Sequence, residues 1–166
     1  MEIPESYEKF LDITTSFFVY LGNSLDIKQI SRIGFRIINL NEYNNFDRLV
    51  ANMRKKLYKL GDEEWDILGG PPVEVNFPLN LKLGKNQVNF NLMPLRKETL
   101  VSLFDSPTVR EILPKIALLI DFDLYATNPE FKKNDIKRFL VDFLEFGKTE
   151  VQNKAIEFVE YFERFE

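Results

Sequence analysis

Two aspartates, Asp121 and Asp123, lie two residues apart in the otherwise apolar segment 118–126. On a β-strand this spacing places both carboxylates on one side, with their Cβ atoms roughly 6–7 Å apart. Such a pair could share Mg²⁺ or Mn²⁺, which prefer oxygen ligands, in a metal-dependent phosphoryl-transfer enzyme or nuclease. It could equally be the solvated side of a strand, paired with Arg32 or Arg36. A metal would favour a third carboxylate nearby, and Glu74 is the one clear strand candidate in the sequence.

A second polar set lies on the other predicted strands. Arg32 and Arg36 are four residues apart in a segment whose alternate residues are apolar, so both face the polar side. Guanidinium and amide groups can each make two hydrogen bonds at once. The pattern therefore predicts a polar sheet face that is either an ordinary exposed surface or a docking surface for a second protomer, another protein or an anionic ligand. The candidate residues of this face are Arg32, Arg36, Asn39, Asn76, Asn80, Asn89, Asn91, Asp121 and Asp123.

Several kinds of chemistry are excluded by composition. The sequence has no histidine and no cysteine. Serine–histidine hydrolysis, histidine general-base catalysis, thiolate nucleophiles and nearly all zinc sites are therefore ruled out. We assign no catalytic residue, no metal ligand and no cofactor from the sequence, and we favour a non-enzymatic protein.

Hydrophobic periodicity predicts the elements that carry these residues. Apolar residues recur every three or four positions in segments 7–21 and 42–60 and again from about residue 129 to the end, which predicts helices. Gly61 would cap the second helix, and Gly147 either kinks the last helix or separates two. Period-two alternation predicts strands in segments 29–40, 73–92 and 115–126. This order predicts an α+β fold, a two-layer sandwich in which helices pack on one face of a mainly antiparallel sheet.

The clearest of these patterns is a hairpin in segment 73–92, with a turn at Gly84. One side of the hairpin is apolar and the other is rich in amides. Pro78 cannot donate a ladder hydrogen bond, which predicts an edge strand or a bulge there. The acidic stretch before the hairpin, segment 61–72, is predicted to be a mobile surface loop in which Trp65 either anchors the loop or meets a partner.

Overall composition is that of a globular protein. The chain has 166 residues, 45% of them hydrophobic, and we expect a single α+β domain over residues 1–166. The net charge of −4 argues against a nucleic-acid partner. The absence of cysteine, of a basic leader and of an apolar run long enough to span a bilayer predicts a cytoplasmic protein without membrane contact.

The strand around Arg32 and the later aspartate strand together resemble a sporadically distributed prokaryotic family of unknown function. Members of that family carry an Arg-Ile-Gly-x-Arg-x-x-Asn strand and a late Leu-x-Asp-x-Asp-like strand before a long closing helix. The matching positions are Arg32, Ile33, Gly34, Arg36 and Asn39, followed by Asp121 and Asp123. The chain resembles the second half of these proteins. The resemblance implies an α+β fold and draws attention to the arginine and aspartate face.

Three functions remain open from the sequence. The leading hypothesis is a binding module that associates with itself or docks a protein partner through the polar sheet face or the hairpin edge, in preference to a small molecule. The first alternative is the metal-dependent enzyme built on Asp121 and Asp123. The second alternative is a binder of a small anionic ligand through Arg32 and Arg36.

Overall fold

The structure is a computed structural model that describes residues 6–25, 29–104, 107–130 and 135–163. The strands are β1 (Arg32–Glu42), β2 (Phe77–Leu83), β3 (Asn86–Arg96) and β4 (Ile116–Thr127). The helices are α1 (Tyr7–Ser24), α2 (Phe46–Leu57), α3 (Asp62–Ile67), α4 (Lys97–Leu103), α5 (Pro107–Ile112), α6 (Ile136–Phe146) and α7 (Gln152–Glu163), and a π-helical turn, Gly147–Val151, joins the last two.

The strands form one antiparallel sheet in the order β1-β4-β3-β2, which confirms the predicted α+β fold class. Backbone hydrogen bonds fix the antiparallel register of β1 and β4 at both ends. The Tyr43 N–H donates to the Ile116 carbonyl at 3.0 Å, and the Asn128 N–H donates to the Ser31 carbonyl at 2.8 Å. The hairpin strand β2 lies at one edge of the sheet, as Pro78 predicts.

β4 is an inner strand, and its middle is buried on both sides. Side chains alternate across a strand, so Leu118 and Ile120 face one layer while Ala117 and Leu119 face the other. All four are buried. The alternation predicted one apolar and one wet side, but residues on both sides are buried in this segment.

The chain forms two compact units. Unit 1 comprises Met1–Arg36, Lys82–Val88 and Asp123–Tyr161, and unit 2 comprises Ile37–Leu81, Asn89–Phe122 and Phe162–Glu166. In unit 1, α1 packs against α6. In unit 2, α2 buries an apolar stripe, and the Phe90 and Phe122 rings lie 4.8 Å apart. The expectation of a single domain stays a prediction.

The helix α2 is shorter than predicted. The Asn45 side chain accepts a hydrogen bond from the Arg48 N–H at 2.9 Å and so begins the helix, which ends at Leu57 instead of Leu60. Gly61 does not cap α2. Its N–H instead donates to the Glu64 carboxylate at 2.8 Å and starts α3, a short helix in the segment predicted to be a loop.

Of the two outcomes predicted for Gly147, the structure shows two helices, α6 and α7, joined by a π-helical turn that begins at this glycine. Gly147 is buried against Phe35 of β1, and a Cβ atom built at this position would overlap the Phe35 ring. The glycine is therefore required by close approach of the helix to the edge strand within unit 1.

Candidate functional site

Two of the predicted face residues, Arg32 and Asp123, meet in unit 1 in a cluster of four side chains. The Arg32 guanidinium donates to the Asp123 carboxylate at 2.9 Å and lies 4.4 Å above the centroid of the Tyr125 ring. The Tyr125 hydroxyl in turn donates to Gln87 Oε1 at 2.7 Å. We call Arg32, Asp123, Tyr125 and Gln87 the arginine cluster.

Gly34 leaves room for this cluster. An ideal Cβ at Gly34 would lie 3.5 Å from Asp123 Oδ1 and 3.8 Å from the Tyr125 Cβ, in ordinary van der Waals contact. A methyl group at this position would therefore fit beside the cluster. The sequence prediction missed Tyr125 and Gln87, which lie two residues from Asp123 and Asn89 and therefore on the same sides of their strands. The alternation itself was the signal that could have found them.

The energetic weight of the arginine cluster is small because much of it is in water. The Arg32 side chain is 54% exposed and the Asp123 side chain 25% exposed. Exposed ion pairs of this kind contribute about 0–1 kcal/mol to stability. Arg36, on the same side of β1 by alternation, is also exposed. Because Asp123 and Tyr125 already engage the Arg32 guanidinium, an anionic ligand would have to compete with them.

In unit 2 the other predicted face residues occupy differing environments. Asp121 is buried, with 7% of its surface exposed, so it does not present a wet carboxylate. Asn89 and Asn91 are half-buried on β3, and the Asn91 amide nitrogen reaches the Met93 sulfur at 3.5 Å. Asn80 is exposed on β2.

Two of the asparagines do not belong to the predicted face. Asn39 follows the alternation of Phe35 and Ile37 along β1, which places it on the side of the apolar residues. Asn76 lies just before β2, and its backbone carbonyl accepts a hydrogen bond from the Tyr58 hydroxyl at 2.5 Å. Asn76 therefore helps to hold the entry to the hairpin.

Trp65 anchors its segment to unit 2. The indole is 8% exposed, and its ring meets the Tyr58 ring edge-on with centroids 6.2 Å apart. The Tyr58 ring also meets the Phe77 ring at 6.1 Å. Of the two roles left open for Trp65, the buried environment favours the anchor over contact with a partner.

The metal-dependent alternative lacks a third ligand. Within residues 6–25, 29–104, 107–130 and 135–163, no three Asp or Glu side chains are grouped so as to hold a metal ion. Glu74, the predicted strand candidate, is exposed in the irregular segment before β2. With Asp123 bound to Arg32 and Asp121 buried, the two aspartates do not form the open carboxylate pair that Mg²⁺ chemistry requires.

The edge strand β2 is the most exposed strand of the sheet. Five consecutive residues, Pro78–Lys82, are exposed, and among them the apolar Leu79 and Leu81 are 37% and 44% exposed. The predicted apolar side of the hairpin is therefore well buried on β3 but only partly covered on β2.

Two depressions lie among the residues that the structure describes. An apolar cavity of about 230 Å³ lies in unit 1 between α1, β1 and α6. A wide, more polar depression of about 670 Å³ lies in unit 2 beside Glu42, Lys97 and Lys115. None of the described helices is long and apolar enough to cross a bilayer.

Comparison of the chain with protein families, with curated proteins and with solved structures found no match. The resemblance to the sporadic prokaryotic family therefore stays a prediction, carried by the short motifs around Arg32 and Asp121.

Proposed function

We propose that the protein is a non-enzymatic binding module that pairs β2 with the same strand of a second copy. The observation that carries the proposal is the exposure of β2 at a sheet edge, with Leu79 and Leu81 partly in water. An edge strand offers a row of backbone N–H and C=O groups to a partner strand, and apolar side chains beside the row add burial.

The hairpin turn determines which backbone groups of β2 face outward. Gly84 and Lys85 form a two-residue turn, and Gly84 has φ +61°, as the first position of a type II′ turn requires. In such a hairpin the flanking residues Leu83 and Asn86 form a hydrogen-bonded pair. Alternation along β2 then directs the N–H and C=O of Asn80 away from β3, toward the free edge.

β2 is suited to pair with itself. Two antiparallel copies related by a two-fold axis at Asn80, the middle residue of β2, would exchange two backbone hydrogen bonds there. The same register places Leu79 of one copy opposite Leu81 of the other, so each exposed leucine gains an apolar neighbour. Segment 77–81 carries no charged side chain, so the pairing brings no like charges together.

Pro78 limits the strength of this association. It has no N–H, so the outward ladder lacks a donor two residues from Asn80. Proline on an edge strand is also a common device against uncontrolled pairing. We therefore expect a reversible dimer whose population depends on concentration, in place of a fibre or an obligate dimer.

The test is the mass of the full chain over a range of concentrations, measured by size-exclusion chromatography with light scattering. Wild type should shift from monomer toward dimer as concentration rises, and Leu81→Lys should remain monomeric because it places a charge in the contact. Ile156→Lys on α7 is the matched control, since Ile156 is 48% exposed against 44% for Leu81, and it should dimerise as wild type does.

Either of two results would overturn the proposal. One is a wild-type chain that stays monomeric at every concentration, and the other is a Leu81→Lys variant that dimerises as readily as wild type. Dimerisation that is lost in Arg36→Ala and kept in Leu81→Lys would move the interface to the polar sheet face.

A further inference from the structure

The apolar cavity of unit 1 lies between three elements and is partly open to solvent. Phe10 and Phe18 line it from α1, Ile33 from β1, and Leu140 and Leu144 from α6. Its volume is about 230 Å³.

The lining offers little to water or to a charge. Thr14 contributes one hydroxyl, and Arg32 is the one charged residue among the described residues of the lining. Its guanidinium already binds Asp123 and lies over Tyr125. A water molecule needs two to four polar partners to be held in a cavity, and an ion buried without a partner is strongly disfavoured. The cavity is therefore suited to an uncharged, mainly apolar molecule.

The volume limits the size of that molecule. An engineered apolar cavity of about 150 Å³ in another protein stays dry and binds benzene. The cavity here is about half as large again, enough for a short hydrocarbon chain but too small for a long lipid. The empty volume also leaves the lining side chains without partner atoms on one side, so a ligand that fills it gains dispersion contacts.

We propose that this cavity binds a neutral amphiphile with one unbranched alkyl chain, such as a medium-chain alcohol. The chain would lie among Phe10, Phe18, Ile33 and Leu140, and the Thr14 hydroxyl would hydrogen-bond the polar head. This site goes beyond the proposed self-association and does not depend on it, because every residue that lines the cavity belongs to unit 1 and none to β2.

The proposal is tested by measuring the affinity of the full chain for a series of n-alcohols from n-butanol to n-decanol, by calorimetry or by ligand-induced thermal shift. Each added methylene that becomes buried should tighten binding about fourfold. The gain should stop at the chain length that fills the cavity. Binding that is not saturable, or an affinity that does not change with chain length, would overturn the proposal.

Two variants locate the site. Thr14→Phe should fill the cavity and reduce affinity at least tenfold, whereas Ser16→Phe, at an exposed position of the same helix, should bind as wild type does. Leu140→Ala should enlarge the cavity. The affinity should then continue to rise up to a longer alcohol than in wild type. A folded Thr14→Phe variant that binds as wild type does would contradict the proposal. If Thr14→Phe fails to fold, the alcohol series is measured on Leu140→Ala. The proposal is then contradicted if affinity stops rising at the same chain length as in wild type.

Discussion

At the scale of single residues, Gly147 shows how one absent side chain sets the packing of unit 1. Glycine within a helix usually costs about 0.5–1 kcal/mol relative to alanine, so Gly147→Ala would ordinarily stabilise the protein. Here a Cβ atom at position 147 would overlap the Phe35 ring and would lie 3.0 Å from the Phe35 Cε1 atom. The half-buried Phe35 ring is rigid and cannot yield as the end of a flexible chain does.

We expect Gly147→Ala to destabilise the protein by about 1–3 kcal/mol, measured by urea denaturation. The control is the same change in a Phe35→Leu background, where the smaller side chain leaves room for the methyl group. There the alanine should be neutral or stabilising. A stabilising Gly147→Ala in the wild-type background would show that the helix does not approach β1 so closely.

Tyr7 makes stability depend on pH at the alkaline end. Its hydroxyl is buried and makes no hydrogen bond to any residue that the structure describes. Burial raises the pKa of Tyr7 to about 12, and the negative charges of Glu145 and Glu8 contribute in the same direction. The Lys148 ammonium lies 4.1 Å above the ring centroid but does not reverse the shift.

In the unfolded chain tyrosine loses its proton at roughly pH 10, whereas folded Tyr7 keeps it to about pH 12. The stabilisation from neutral Tyr7 is therefore complete below about pH 10 and is lost as pH rises toward 12. We expect the free energy of unfolding to fall less steeply above pH 10 in Tyr7→Phe than in wild type. Tyr20→Phe is the control, because Tyr20 is 68% exposed, and it should follow the wild-type slope. Equal slopes in wild type and Tyr7→Phe would contradict this assignment.

At the scale of elements, the short helix α3 depends on one side chain. Trp65 is buried, whereas Ile67 in the same helix is 83% exposed. We expect Trp65→Ala to destabilise the protein by about 3 kcal/mol through loss of packing against Tyr58. Ile67→Ala should change stability by less than about 0.5 kcal/mol. Thermal unfolding followed by circular dichroism compares the two, and similar losses in both variants would mean that Trp65 does not anchor the helix.

The end of α2, just before this region, could not be predicted from the local sequence pattern. The periodicity that includes Leu57 and Leu60 predicts a continuing helix, but the chain leaves the helix at Tyr58, whose hydroxyl binds the Asn76 carbonyl and whose ring meets Phe77. Such contacts join residues far apart in sequence, so a local pattern cannot reveal them. The hairpin strands, by contrast, were predictable because their alternation and their turn at Gly84 are local.

The candidate site was likewise predictable from the sequence only in part. Alternation alone places Arg32 and Asp123 on the polar sides of their strands, and the structure brings the two together. Asp121 lies on the same side of β4 as Asp123 but is buried. Alternation gives the side of the strand on which a residue lies, and it does not give how far that side is covered. Tyr125 was not among the predicted face residues, although its ring lies beneath the exposed Arg32 guanidinium.

At the scale of the whole molecule, net charge distinguishes the two surfaces through which copies could associate. Each chain carries a net charge of −4, so two copies repel one another at neutral pH. Salt screens this repulsion, because the Debye length falls from about 10 Å at 0.1 M to about 3 Å at 1 M. Segment 77–81 of β2 has no charged side chain. A contact made there therefore includes no attraction between charges that salt could screen.

A dimer formed through β2 should therefore be as stable or more stable at about 0.5 M sodium chloride than at about 0.05 M. A dimer formed through Arg32, Arg36 and Asp123 should weaken over the same range, because its attraction comes from exposed charges. Sedimentation equilibrium at both salt concentrations measures the difference, and the monomeric Leu81→Lys variant supplies the reference mass. Dissociation of wild type by salt would count against the β2 edge, since screening cannot weaken an uncharged contact between two chains that repel each other.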